Sequence, residues 1–296
     1  MIRLLIKKNY HHVLALLFVF TFLSGPFCYG QESEQTETKT AVDRPGVNIN
    51  TSFYSDYIWR GYELSHDSFV VFPSVTVSYK GFSLNWWGDI DTDYAGKPDD
   101  LQCWEQDYSA WYSNSWKKLN YTLGYIHYNT KATDTQEVWA SLGISTFLNP
   151  TLSIWRDIVY GDSWYYNLAL SHSFPVSKDR ICWKYDASLD VGGWVSYYWL
   201  HNYSKDDVNY SAWHDGNVWV GLKIPLSDVC SITPKIQYSF PLSYKARANL
   251  KGASFDGDDA DFVYGGLIFD YNFYCLTIAR KWAEKETNLI NLLSLQ

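Results

Sequence analysis

Residues 263–273 read Val263-Tyr264-Gly265-Gly266-Leu267-Ile268-Phe269-Asp270-Tyr271-Asn272-Phe273, and this stretch decides the fold. Side chains on a strand alternate between two faces. Val263, Gly265, Leu267, Phe269, Tyr271 and Phe273 therefore share one face, and Tyr264, Gly266, Ile268, Asp270 and Asn272 share the other. One face is apolar and ends in aromatics, while the other is small or polar.

The same texture recurs from Val47 onward as segments of roughly ten residues parted by turn residues, the pattern of a transmembrane β-barrel. Val71, Val75, Val77 and Tyr79 alternate with Ser74, Thr76, Ser78 and Lys80. After a turn at Lys80-Gly81, Phe82, Leu84, Trp86 and Ile90 alternate with Ser83, Asn85, Asp89 and Asp91. Short turns and longer loops alternate if residues 182–200 form one strand with a bulge at Gly192-Gly193, which predicts an all-β antiparallel barrel of about 12 strands spanning residues 47–273. The first strand is expected to carry Tyr57 and Trp59 on its outer face and Asp56 and Arg60 on its inner face. Across the predicted outer faces the only formal charge is Arg156, near a strand end. The loops at residues 61–68, 92–101 and 242–259 are expected on the outside.

Composition narrows the class. The chain has 296 residues, a net charge of −8, and 25 Tyr, 15 Trp and 15 Phe against one Met. An acidic chain is a poor nucleic-acid partner, because that affinity comes from Lys and Arg neutralising phosphates. Barrels place aromatic rings in girdles at both membrane interfaces. Arg3, Lys7 and Lys8, an apolar run at residues 13–23 and a break at Gly25-Pro26 have the order of a secretory leader, expected over residues 1–30. A polar linker is expected at 31–46, and a C-terminal extension with helical apolar spacing at 274–296. A secreted carbohydrate-binding sandwich would share the aromatic content, but would not need long segments clean on one face all the way round.

The spacing Tyr264-x-Gly266-x-x-Phe269-x-Tyr271, with Phe273 beyond it, resembles the signal read by the barrel-assembly machinery of Gram-negative outer membranes. Ser55-Asp56-Tyr57-Ile58-Trp59-Arg60-Gly61 resembles the opening strand of the TorF-like family of outer-membrane porins. Gly81, the run from Glu105 through Asp107 to Tyr108, and the aromatic closing strand resemble it too. That resemblance implies an outer-membrane location, contact with outer-membrane lipid and passive passage of small hydrophilic solutes. Two departures stand out: Ser109 and Ala110 replace expected glycines, and the chain continues past Phe273.

Catalysis and cofactors find no support. A barrel phospholipase needs a Ser and a His within hydrogen-bond reach, whereas His127, His172 and Ser55 fall on strands that do not meet. His-x-His and Cys-x-x-Cys spacings are absent after the leader, and His66, His201 and His214 are expected in or beside separate outer loops, which offers no metal site. Inward aromatics Trp87, Trp111, Trp139 and Trp219 could instead fill the lumen, giving a non-conducting structural or adhesive barrel.

The charged inner positions carry the functional expectation. Asp89, Asp91, Glu105 and Asp107 should converge on adjacent strands as an acidic patch near the outer mouth, neutralised by Arg60 or by a cation. Asp56, Glu137, Asp186, Asp190 and Asp270 add acid to the lumen, while Arg60, Lys80, Lys184, Lys223 and Lys235 add base. The excess of acid predicts a preference for cationic or neutral solutes. Cys230 and Cys275 are expected at the same periplasmic edge as a disulfide pair, with Cys182 a competitor and Cys103 at the opposite rim. The sequence carries no signal for an oligomeric state.

Overall fold

The computed structural model describes residues 44–274, apart from 67, 93–101, 132–133, 182 and 204–207. The leader, most of the linker, Cys182, Cys275 and the C-terminal extension fall outside these residues. Within them, β1 (Gly46–Tyr54), β4 (Val70–Tyr79), β5 (Phe82–Asp91), β6 (Gln102–Trp116), β7 (Leu119–Thr130) and β8 (Asp134–Ile144) form one half of the wall. The other half is β9 (Thr151–Asp157), β10 (Asp162–Val176), β11 (Ala187–Tyr203), β12 (Val208–Pro225), β13 (Cys230–Pro241) and β14 (Phe262–Tyr274). Each of these pairs antiparallel with its neighbours, and β14 pairs with β1, so the sheet closes into a barrel of twelve strands. Closure satisfies every strand edge, which a hydrocarbon environment demands.

The outer surface is built to face lipid. Leu84, Leu123, Leu142, Leu152, Leu168 and Val218 are among the large apolar side chains exposed on it. Rings gather toward the strand ends: Phe82 against Tyr112 at one end, and Tyr197 against Trp213 at the other. Arg156 is on this face beside Asp162, at 3.3 Å. The turn at Lys80-Gly81 is at the same end as Gly46 and Tyr274, and both its residues have positive φ, as a two-residue hairpin turn requires.

Four expectations change. β1 stops at Tyr54, so Tyr57 and Trp59 are not on the lipid face. Residues 58–63 instead form a small hairpin of two strands, β2 (Ile58–Trp59) and β3 (Tyr62–Glu63), outside the wall's hydrogen-bond ladder. The loop expected at 242–259 contains a helix, α1 (Tyr244–Ala253), capped by the Ser243 hydroxyl accepting from the Ala246 N–H.

The fourth concerns Gly192-Gly193, where β11 runs through without a bulge. Gly192 pairs Ser171 and Trp219, and Gly193 pairs Leu170 and Val218, in unbroken register. The glycines are there for proximity: a Cβ on Gly192 would be 2.5 Å from the Trp219 ring. The inward indole packs onto the neighbouring strand where any larger residue would collide with it. The bulge is four residues further on, between Val195 and Tyr197, where two residues of β12, His214 and Asp215, oppose Ser196 alone.

Candidate functional site

After Tyr54 the chain leaves the wall and turns into the lumen. The departure is fastened by Ser55, whose backbone N–H donates to the Gly265 carbonyl at 3.0 Å and whose hydroxyl accepts from the Gly265 N–H at 3.2 Å. The β2-β3 hairpin turns at Arg60-Gly61, with φ of 48° and 81°, the two-residue geometry that matches strand twist. Only glycine suits the second position. A Cβ on Gly61 would be 3.0 Å from Asp215 Cβ and 3.1 Å from Leu250 Cδ1, because the tip is seated between β12 and α1. Tyr62 completes that contact by donating its O–H to Asn249 Oδ1 at 2.7 Å.

Arg60 therefore projects from the tip of an in-folded hairpin, not from the rim of the first strand. Its guanidinium makes a two-point ion pair with Glu137 on β8, at 2.9 and 2.7 Å. Both side chains are almost wholly buried, at 7% and 4% exposure. The Tyr128 O–H donates to the same carboxylate at 2.9 Å. Rings enclose the cation, with Tyr165 at 4.3 Å and Trp59 at 4.4 Å from the guanidinium carbon. Burial opposes the charge on Arg60, but Glu137 more than offsets it and holds the guanidinium above its ordinary pKa.

The bulge supplies a second anchor. The His214 ring lies between the Tyr210 hydroxyl, 2.7 Å from Nδ1, and the Arg60 carbonyl, 3.1 Å from Nε2. Since a carbonyl only accepts, Nε2 carries the proton and donates to it, leaving Nδ1 to accept from Tyr210. Asp215 accepts from the Tyr165 hydroxyl at 2.9 Å, the Trp194 indole at 2.9 Å and the Ser196 hydroxyl at 2.6 Å. Both bulge residues are fully buried. His214 thus lies on the inner wall and not in an outer loop as the sequence suggests. Neither it nor Asp215 stands out in the sequence, because a bulge breaks the two-residue period that locates inner positions.

Across the barrel, β5 and β6 bring the four acidic residues together. Asp89 pairs with Glu105 across β5 and β6, Trp87 pairs with Asp107, and Asp91 lies one step along the same inner row. A bulge at Trp104 lets Ile90 and Cys103 stay outside while Asp89 and Glu105 remain side by side within. All four carboxylates are buried, at 7% exposure or less. The segment leading into the hairpin covers them: Tyr57 meets Phe72 edge-on and Trp87 at a tilt, and its O–H donates to Glu105 Oε2 at 3.1 Å. Burial, then Glu105, Asp107 and Asp89, push the Tyr57 phenol well above its usual pKa. Asp89 Oδ1 and Asp107 Oδ1 are buried with no hydrogen-bond partner. Arg60, the cation expected to neutralise this patch, is taken by Glu137 instead.

The other charged positions divide. Asp270 faces the lumen and accepts from Asn50 at 2.8 Å, Asp190 accepts from the Ser173 hydroxyl, and Lys235 lies 4.6 Å over the inward Trp219 ring. Lys223 pairs with Ser188 in the same row as Gly192 and Trp219. Asp56 is buried on the in-folded segment. Lys80, Lys184 and Asp186 are not on the lumen wall: Lys80 occupies a turn, Lys184 is exposed between β10 and β11, and Asp186 accepts from the Lys178 N–H at 2.8 Å. Strand parity carried past the last paired residue misplaces all three. Tyr264 and Gly266 face inward, while Phe269 and Tyr271 face out, with Tyr271 and Phe273 ring against ring. Cys230 begins β13, far from Cys103 at the start of β6; its expected partner Cys275 is outside the described residues.

No family model matches the chain, and no curated protein matches it. Among solved structures it is similar to the NanC porin, at 10% identity and a TM-score of 0.47, over 76% of this chain and 98% of that one. An anion-selective porin from Comamonas acidovorans aligns at 9% identity and a TM-score of 0.32, over 77% and 98%. The beta domain of the Bordetella autotransporter BrkA aligns at 9% and 0.34, over 77% and 98%. The closed ladder of twelve strands, and not these distant likenesses, establishes the fold.

Proposed function

We propose that this chain is a porin-like channel of a Gram-negative outer membrane, a member of the TorF-like group, that passes small cationic or neutral hydrophilic solutes without catalysis or cofactor. The apolar belt gives it outer-membrane lipid as solvent, and the aromatic last strand gives the barrel-assembly machinery its signal. The observation that carries the reading is the buried acidic wall of Asp89, Asp91, Glu105 and Asp107, with Arg60 of the hairpin engaged by Glu137. A constriction lined on one side by carboxylates favours cations. Counter-charge from a passing cation also suits the Asp89 and Asp107 oxygens that no protein donor reaches.

A second reading has its own observation. Tyr57, Ile58 and Tyr62 of the in-folded segment pack against buried clusters of wall residues that include Tyr54, Tyr198 and Tyr210. That core-like packing suits a closed structural or adhesive barrel. Planar-bilayer recording separates the two. The channel reading expects discrete current steps from the purified protein, and a reversal potential in a salt gradient that moves toward anions in the Asp89→Asn/Glu105→Gln/Asp107→Asn variant. A conducting variant with an unchanged reversal potential defeats the selectivity claim. A wild type that stays silent, alongside a hairpin-deleted form that conducts, establishes the closed barrel.

A further inference from the structure

The geometry points to a divalent transition-metal site at the outer mouth, formed by Glu63, His66 and Asp256, which clasps the in-folded segment to the loop that carries α1. One ligand atom from each of the three side chains lies within 4.8 Å of the other two. The three come from two segments that the sequence separates by about 190 residues: Glu63 ends β3, His66 follows it, and Asp256 lies just beyond α1.

Two of the ligands are already positioned. His66 Nδ1 is 3.0 Å from Glu63 Oε1, and the imidazole stacks on Phe255 with centroids 5.4 Å apart and planes 21° off parallel. The Glu63 side chain is 1% exposed and its other oxygen, Oε2, accepts from the Phe255 N–H at 3.4 Å. Phe255 therefore holds both partners, one through its ring and one through its backbone. Asp256, the next residue, is exposed, with its carboxylate on the same side of the cluster. Zinc binds imidazole nitrogen at about 2.0–2.1 Å and carboxylate oxygen at about 2.0–2.2 Å, which puts ligand atoms about 3.4 Å apart in a tetrahedron. Closing the widest gap that the 4.8 Å limit allows to about 3.4 Å takes about 1.4 Å of movement by the Asp256 carboxylate.

The donor set selects the ion class. One imidazole with two carboxylates suits zinc and its neighbours, whereas calcium and magnesium take oxygen donors almost alone. Two carboxylates also balance a 2+ charge. Zinc would take the Nδ1 lone pair, so any proton that Nδ1 shares with Glu63 Oε1 leaves it, and the neutral imidazole keeps its one N–H on Nε2. Three protein ligands leave a position for water, so the site is an open one. Its effect is mechanical: it joins the segment behind Arg60 to the segment behind Leu250, the two that meet at Gly61.

The test is zinc titration of the full-length detergent-refolded protein by calorimetry, with X-ray absorption at the zinc edge. Wild type and a His201→Ala control, at an exposed position on β11, should show the same tight event, with one nitrogen and two or more oxygens around the metal. Glu63→Gln, His66→Ala and Asp256→Asn should each weaken it by at least about tenfold, since even loss of a supporting partner costs 10–100-fold. Zinc should raise the melting temperature of wild type and of the control, but not of the ligand variants. Asp256→Asn, an exposed change, keeps the comparison valid if Glu63→Gln fails to fold. Equal affinity and equal stabilisation in wild type and Asp256→Asn would overturn the site, as would an absence of zinc binding in wild type. None of these readouts depends on conductance.

Discussion

The guanidinium of Arg60 and the carboxylate of Glu137 are 77 residues apart in sequence, yet they meet through two parallel hydrogen bonds of 2.9 and 2.7 Å inside the barrel. Fork-on-fork geometry fixes orientation as well as distance. This pair ties the tip of the hairpin to β8.

Removing one partner should therefore cost far more than removing both. Glu137→Ala strands a buried guanidinium and should destabilise the protein by about 3–5 kcal/mol, while Arg60→Met with Glu137→Leu should lose much less. Urea unfolding in detergent micelles measures both. Additive losses in the double variant would show that the pair does not act as a unit.

Gly61→Val tests the seat of the tip. The substitution places a β-branched residue at φ of 81°, with its Cβ about 3.0 Å from Asp215 Cβ, and should cost at least about 1 kcal/mol in backbone strain alone. If the barrel is a channel, the loosened hairpin should also give noisier and larger current steps than wild type.

Asp215→Ala removes the acceptor of Tyr165, Trp194 and Ser196 at one stroke. Each buried donor left without a partner costs about 1–3 kcal/mol, so the loss should exceed that of Asp215→Asn, which retains one acceptor oxygen. Thermal unfolding followed by tryptophan fluorescence reports it, with Trp194 itself one of the emitting rings.

Gly192→Ala should displace the Trp219 indole, since the new methyl would be 2.5 Å from the ring and 2.9 Å from the Leu170 carbonyl. A cost of about 1–3 kcal/mol is expected for crowding of this kind. Near-ultraviolet circular dichroism should lose intensity with it. An unchanged spectrum would mean the ring has room to lie elsewhere.

An epitope tag inserted beside Asp258, in the loop after α1, should be labelled on intact cells if that loop faces outward. Labelling only after permeabilisation would invert the orientation of the barrel.

The wall was legible in the sequence because period-two alternation is what a barrel strand consists of, and the inward acidic quartet followed from parity alone. The hairpin was not legible. Tyr57 and Trp59 alternate with Asp56 and Arg60 just as a lipid-facing strand end would, and an aromatic ring suits an interfacial girdle and a lumen core equally well. Only the pairing of β1, which ends at Tyr54, decides between them. Gly192-Gly193 misled in the opposite sense, since two glycines that make room for an indole read like a bulge. The real bulge at His214-Asp215 carries no glycine and no proline to mark it. Glu63, His66 and Asp256 were illegible for a simpler reason: the chain between them must close a barrel before they meet.

The seam between β1 and β14 has a kinetic consequence. Nine residues of the first strand, from Gly46 to Tyr54, pair with nine of the last, from Tyr274 to Gly266. Contacts such as Asn48 to Asn272 span 224 residues, so the cost of bringing them together falls at the end of folding, not the start. Until β14 is in place, β1 and β13 each present an open edge to whatever strand is nearest. A chain truncated before Phe262 would be left with both edges for good, and a strand supplied from outside the barrel would be its only means of closing.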